Sequence, residues 1–409
     1  MLEISAGDTA WVLISAALVL LMTPGLAFFY GGMVRAKGVL NMMMMSFIAM
    51  GTISVLWVLF GYSMAFGDSW MGLIGDPFQF AGLQGLMSPD AAVFTIPSLV
   101  FVAFQACFAI IAVALVSGAI ADRASFAGWT LFTILWGILV YFPAAHWVFA
   151  FDGAAAEHGG WIANTVKAID FAGGTAIHIN AGVAALALAL VLGPRVGFGT
   201  KPMRPHNMTL VMLGAGLLWF GWFGFNAGSA LSAGTLAGVA WINTLAATAA
   251  AMLAWLVLER VRDGHPTSLG AASGVVAGLV AITPACGSVS PLGSVAIGIL
   301  AGVGCAYAVG LKHKLGYDDS LDVVGVHLVG GLIGTLAIGF LADPSSPAGI
   351  AGLFFGGGVD QLVRQVIGAG AVLVYSFVVT FAIAKLIQKT IGWRISTAAE
   401  LGGIDLVEH

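Results

Sequence analysis

Two histidines stand inside apolar runs, where an ionisable side chain is costly. His178 lies in GGTAIHINAGVAALALALVL and His327 lies in VVGVHLVGGLIGTLAIGFL. A ring placed in the hydrocarbon zone faces a pathway or a partner by default. Neutral imidazole carries one donor and one acceptor nitrogen, so two adjacent rings can pass a proton or line a narrow polar track. The surroundings of the two histidines also match. Asp170 precedes His178 by eight residues and Asp319 precedes His327 by eight, while Gly182 and Gly331 each follow four residues later. Two copies of D-x7-H-x3-G indicate an internal repeat in which each half lends one histidine. The plainer alternative is a pair of packed histidines bonded to backbone carbonyls, and the repetition weighs against it. No third or fourth ligand accompanies them, which argues against zinc.

The elements that must position these rings follow from composition. Of 409 residues, 60% are hydrophobic and only 8% charged, against about 25% charged in a soluble domain. The chain is therefore an all-α polytopic membrane protein. Its apolar runs are continuous rather than alternating, which excludes a β-barrel. The 57 glycines suit close helix–helix approach. With a net charge of −4 and no basic stripe, nucleic acid is not an expected partner. Cys107, Cys286 and Cys305 show no CxxC or Cys/His spacing and read as small packing residues. The start MLEISAGDTA is acidic and lacks a positive n-region, so the first apolar run is expected to be retained as a span.

Eleven apolar segments approach the roughly 20 residues needed to cross a bilayer: 9–31, 39–66, 96–120, 127–148, 171–192, 207–228, 236–258, 268–283, 292–311, 322–341 and 362–388. The eighth is short. If the helices alternate, 13 of the 15 Lys and Arg residues fall on one side, leaving Lys167 and Arg364 opposite. The positive-inside rule then puts the N-terminus outside and the C-terminus inside. Five spans end near residue 192 and five more near 341. Five is odd, so the halves 9–192 and 207–341 are expected to be inverted, a transporter design. Eight helical residues from Asp170, and from Asp319, rise roughly 12 Å and carry both histidines toward the bilayer centre. The eleventh span has no counterpart. Residues 1–392 read as one membrane domain and 393–409 as a polar cytoplasmic tail.

At these residues the chain resembles the ammonium transporter (Amt/Mep/Rh) family, and the bacterial Amt type in particular. The blocks are MTPGLAFFYGGMVRAKGVLNMMMMSF at 22–47, DFAGGTAIHINAG at 170–182, GWFGFNAGSA at 221–230, TPACG at 283–287 and DVVGVH at 322–327. They occur in order across nearly the whole chain. The resemblance implies a homotrimer in the cell membrane, with one pore per subunit and ammonium as substrate, methylammonium being its analogue. It implies no cofactor and no enzymatic activity.

The resemblance also carries site residues. His178 and His327 match the twin-histidine pair of the pore. Phe108 and Phe225 match two phenylalanines stacked as a hydrophobic gate, which excludes hydrated ions by dewetting; Phe108 alone reads as an ordinary core ring. Ser229 matches a serine whose hydroxyl accepts a bond from ammonium, or it is a plain helix-end serine. Asp170 matches the recruitment-site aspartate. Physically it can stabilise a nearby cation or cap the fifth helix. Asp319, its repeat mate, faces the other side and is not a site residue. Trp222 is expected to line the lower pore or pack in the core, and Gln105 to add polarity near recruitment. One departure stands out in HWVFAFDG. Phe149 occupies the place of an outer tryptophan, with Trp147 two residues earlier. Cation–π attraction is weaker with phenylalanine.

The expected function is uptake of ammonium: recruitment of NH4+ at an outer vestibule, deprotonation, and conduction of NH3 with a possible separate proton return. The alternative is an ammonium sensor that acts through a PII-type signalling partner and transports little. A PII-type protein on the cytoplasmic face is implied in either case. An ion-coupled transporter of another solute needs midplane carboxylates, and no Asp or Glu lies deep in a span. A hydrolase needs a nucleophile–base pair or an HExxH motif, and neither is present.

Overall fold

The computed structural model describes residues 3–409. Among them, ten apolar helices are long enough to span a bilayer: α1 (Ala6–Met33), α2 (Ala36–Phe66), α3 (Ser98–Ile120), α4 (Phe126–Phe149), α5 (Gly174–Leu192), α6 (Met208–Gly228), α7 (Thr235–Arg262), α9 (Pro291–Leu315), α10 (Val324–Leu341) and α11 (Asp360–Thr390). A shorter helix, α8 (Ser268–Ile282), lies between α7 and α9. Every expected apolar run is thus met by a helix whose ends differ by about one turn or less. The starts carry the residues that helix starts favour. Asn207 accepts from Leu210 N at 3.1 Å, Thr267 from Gly270 N at 2.8 Å, and Ser290 from Gly293 N with Pro291 in the first turn. Each side chain satisfies a backbone donor that the helix itself cannot.

The turns at 283–289 make up for the shortness of α8. Its fifteen residues rise about 22 Å, less than the hydrocarbon core, and the turns extend its path. Thr267, at its start, donates to Glu259 near the end of α7. Beyond its end, the Cys286 and Val289 carbonyls accept from Asn243, near the start of α7, both at 2.8 Å. The chain therefore runs back along α7 for most of that helix.

One expectation is corrected here. Asp170 and His178 are not joined by continuous helix. Residues 171–173 are non-helical and α5 opens in a wide π-helical turn, Gly174–Ile179, that contains His178. The same holds for α10, where the π-helical turn Val324–Leu328 contains His327. Asp170 accepts from the N–H groups of Gly173, Gly174, Thr175 and Ala176 at 2.7–3.0 Å, so the chain folds around the carboxylate instead of running through it. Asp319 accepts from Val324 N at 2.7 Å in the equivalent place. Wide turns of this kind concentrate at functional sites.

The repeat glycines have a reciprocal role. A Cβ on Gly182 would lie 2.3 Å from Leu328 N, next to His327; one on Gly331 would lie 3.1 Å from Ile179 N, next to His178. Thr175 and Thr335 also meet, at 3.4 Å. The two helices therefore pass antiparallel at backbone contact, each glycine receiving the residue that succeeds the other half's histidine. Elsewhere the glycines do what small residues do between membrane helices. Gly298 and Gly302 of α9, for example, receive the carbonyls of Ala247 and Ala251 of α7.

The 393–409 segment is packed rather than free. Trp393 is fully buried, and Arg394 pairs with the buried Glu400 at 2.8 Å. Asp405 accepts from Leu40 N and Asn41 N at the start of α2, and Glu408 accepts from Phe126 N at the start of α4. Nearby, Arg195 makes a two-pronged contact with Asp318 at 2.9 Å. Burial raises the Asp318 carboxyl, but the Arg195 and Arg123 guanidiniums outweigh it and hold the group below its ordinary range.

Two sets of variants probe this packing. Gly182→Ala forces backbone apart, whereas Gly331→Ala meets its neighbours no closer than 3.0 Å. The first should cost about 1–3 kcal/mol and the second clearly less. Thermal unfolding in detergent reads the difference, and a Gly182→Ala midpoint equal to that of the wild type contradicts the backbone contact. Asp405→Ala should cost about 1 kcal/mol, as loss of a helix cap does, and deletion of 393–409 considerably more; an unchanged melting temperature in both contradicts the capping role.

Candidate functional site

A cavity of about 920 Å³ opens between the helix ends at one side of the bundle. Its wall includes Gln105, Phe108, Phe149, Asp170 and Ser229, so five residues singled out in the sequence share one vestibule. Each contributes a specific group. Ser229 donates its hydroxyl proton to Phe225 O at 2.7 Å, which leaves its oxygen lone pairs free to accept. That bond is what an ordinary helix-end serine makes, and it is also what turns the hydroxyl into an acceptor. Asp170 is consumed as a cap by four backbone donors, so its effect on a cation is a field and not a direct ligand. Phe149 and Trp147 are separated in role. Trp147 donates to Leu73 O at 2.7 Å and packs on Tyr375 at 4.6 Å and Trp161 at 5.8 Å. Its indole is committed to that packing, and Phe149 lines the vestibule.

The vestibule floor is closed. The rings of Phe108 and Phe225 lie 4.5 Å apart, tilted by 54°, and neither is more than 2% exposed. Below them is a chamber of about 10 Å³ lined by His178, His327, Trp222 and Phe225 with apolar residues of α1, α3, α6 and α8. That is room for about one water-sized molecule. A second small chamber, also about 10 Å³, continues past His327 toward Tyr30, Ser273 and Asp322. From the vestibule inward the spaces run wide, shut, narrow, narrow.

His178 and His327 come together. Their Nδ1 atoms are 3.2 Å apart and the rings are 25° from parallel. A bond between two Nδ1 atoms requires one to carry hydrogen and the other to accept, so a neutral pair holds opposite tautomers. Among the described residues, His178 Nε2 is buried with no hydrogen-bond partner. The reading as packed histidines satisfied by carbonyls therefore fails, since a buried imidazole nitrogen left unpaired costs free energy unless something passes or binds there.

Trp222 stacks on His178 at 5.3 Å and 17° and donates its indole N–H to Thr283 Oγ1 at 2.8 Å. Thr283 itself donates to Leu279 O. The tryptophan is thus a wall of the histidine chamber, held in plane by the threonine of TPACG, whose role the sequence alone does not disclose. Phe29 and Tyr30, which line the lower chamber, belong to the 22–47 block and are equally silent there. No residue type or spacing in that block distinguishes a pore wall from ordinary core. Asp319 lies outside all three spaces.

The sequence profile described as the Ammonium Transporter Family matches residues 10–409. An ammonium transporter of Mycobacterium tuberculosis is 62% identical over 98% of this chain and 89% of its own length. One from Bacillus subtilis is 46% identical, covering 98% and 97%. Among solved structures, Saccharomyces cerevisiae Mep2 superposes with a TM-score of 0.88 at 33% identity, over 96% of this chain and 88% of that one. A structure described as a sensor Amt protein superposes at 0.90 with 29% identity, over 98% of both chains. With two helices crossing at their repeat glycines and matches of this extent, the chain is a multi-pass membrane protein that belongs to the ammonium transporter family.

Proposed function

We propose that the chain takes up ammonium by recruiting NH4+ in the wide vestibule and conducting NH3 through the histidine chamber. The observation that carries this reading is the contact of two imidazoles immediately below a closed phenylalanine pair. NH4+ resembles K+ in charge and size, yet it can release a proton. In the vestibule the cation is held by the faces of Phe108 and Phe149, by Ser229 Oγ and by the field of Asp170. Carrying a bare charge past Phe108 and Phe225 costs many kcal/mol, whereas neutral NH3 passes as a small polar molecule. His178 Nε2 offers it a hydrogen-bonding site in the chamber, and the Nδ1 contact offers a route for separate proton return. Thr283, by fixing Trp222, keeps the stacked wall of that chamber in place.

A homotrimer with the N-terminus outside and the tail in the cytoplasm is the assembly this reading uses. The one-sided distribution of Lys and Arg supports the orientation, and the family likeness supports the trimer. A PII-type trimer is the proposed partner on the cytoplasmic face. The second reading is a sensor that binds ammonium and transports little; the likeness to the sensor Amt structure over nearly its whole length favours keeping it.

Flux and current measured together on proteoliposomes test both readings. Ammonium and methylammonium should enter and K+ should not, and His178→Ala should lower methylammonium flux by on the order of 10²-fold, the usual worth of a positioned proton-transfer group. Equal K+ and ammonium currents overturn the deprotonation step. Saturable binding without flux in the wild type selects the sensor instead. Phe225→Ala should admit water and raise K+ leak, and an unchanged leak counts against the gate.

A further inference from the structure

The vestibule is far larger than ammonium needs. At about 920 Å³ it falls within the size range of pockets that bury drug-sized ligands, while the chamber beneath holds about one water-sized molecule. Its aromatic lining is of one kind. Seven phenylalanines line it, and among the described residues no tryptophan or tyrosine does. They are graded by depth. Phe94 and Phe151 form the rim, 42% and 49% exposed; Phe149 and Phe171 are half-buried; Phe101 and Phe108 are buried at 4% and 2%.

Two features of the rim point to a ligand. Phe94 sits in the turn of the hairpin Ala92–Val93/Ile96–Pro97 at φ +52°, a left-handed conformation that a bulky aromatic residue rarely adopts. A two-residue hairpin turn calls for such a conformation, and here it holds an exposed ring at the mouth. Beside Phe151, Asp152 also lines the cavity. One of its oxygens accepts from Gly159 N at 2.7 Å, and among the described residues the other accepts no hydrogen bond. The charged lining is Asp152 and Asp170 against Lys167, with His158 at the edge.

Phenylalanine faces around a site with excess carboxylate attract cations, and a ring-lined cavity too broad for one small ion suits a bulky, weakly hydrated one. We propose that this vestibule binds quaternary ammonium compounds, of the choline and tetramethylammonium class, and holds them without admitting them. Such a cation cannot be deprotonated, because its nitrogen carries no hydrogen, and it cannot pass a pair of rings 4.5 Å apart. It therefore occupies the recruitment space and excludes ammonium. Phe94, Phe151 and Asp152, the exposed residues of the rim, are the ones expected to distinguish this ligand from ammonium itself, since only a bulky cation reaches out to them.

Binding is measured first and without transport, by titrating the full-length protein in nanodiscs with choline and with its uncharged isostere, in which tert-butyl replaces trimethylammonium. Choline should bind saturably and the isostere much more weakly. Phe94→Ala and Phe151→Ala should each weaken choline binding about two- to fivefold, the worth of one exposed cation–π contact, and Asp152→Asn should weaken it similarly. Equal binding of choline and isostere, no saturable binding, or full affinity in all three variants overturns the proposal. The second arm rests on the uptake reading: choline should inhibit methylammonium flux competitively and not accumulate inside. Choline accumulation overturns the proposal. Choline binding with no methylammonium flux in the absence of choline leaves the site standing and overturns uptake alone.

Discussion

Everything at the centre of this molecule depends on two helices touching without side chains between them. α5 and α10 cross where Gly182 meets Leu328 and Gly331 meets Ile179. Because each contact lies beside the other half's histidine, the crossing fixes where both rings stand. The aspartate eight residues upstream sets the second coordinate. Asp170 draws in the first N–H groups of α5 and so starts that helix inside the protein, and Asp319 accepts from Val324 N at the start of α10. The repeated motif is thus a description of one crossing seen from either side. Aspartate places the helix start, histidine occupies the wide turn, and glycine admits the opposite backbone.

That contact creates a polar element where everything around it is dry. The two rings satisfy each other through Nδ1, which leaves the Nε2 side of His178 facing an apolar chamber. Hydrocarbon walls make a bare ion expensive there and leave an uncharged hydrogen-bonding molecule tolerable. Trp222 shields one ring face, and Thr283 holds Trp222. Under the proposed uptake, the chamber's selectivity comes from what it lacks as much as from what it contains.

Much of this is legible in the chain. Length and apolarity of the runs fix the helices to within a turn, since a bilayer tolerates little else, and the doubled motif brings out the histidine pair. The family resemblance singles out Ser229, Phe149 and the gate, and the cavity wall does gather Phe108, Phe149, Asp170 and Ser229. What the runs hide is non-helical backbone within them. Hydropathy does not distinguish residues 171–173 from the helix after them, so the distance from Asp170 to His178 reads as helical rise. Thr283 and Tyr30 escape for a different reason. A threonine that steadies an indole and a tyrosine beside a narrow space have no signature until the fold sets them there. The choice between Phe149 and Trp147 needs the partner of the indole, Leu73 O, which lies far back along the chain.

The capping of α2 and α4 has a bearing on how the chain is made. The carboxylates that satisfy their opening N–H groups belong to Asp405 and Glu408, separated from them by 365 and 282 positions. During synthesis both helices reach the bilayer long before those acids exist. Their starting turns must be served by water or lipid headgroups in the interim. Insertion and final closure are therefore distinct events, and a ribosome still translating holds a bundle whose basic face has not yet locked.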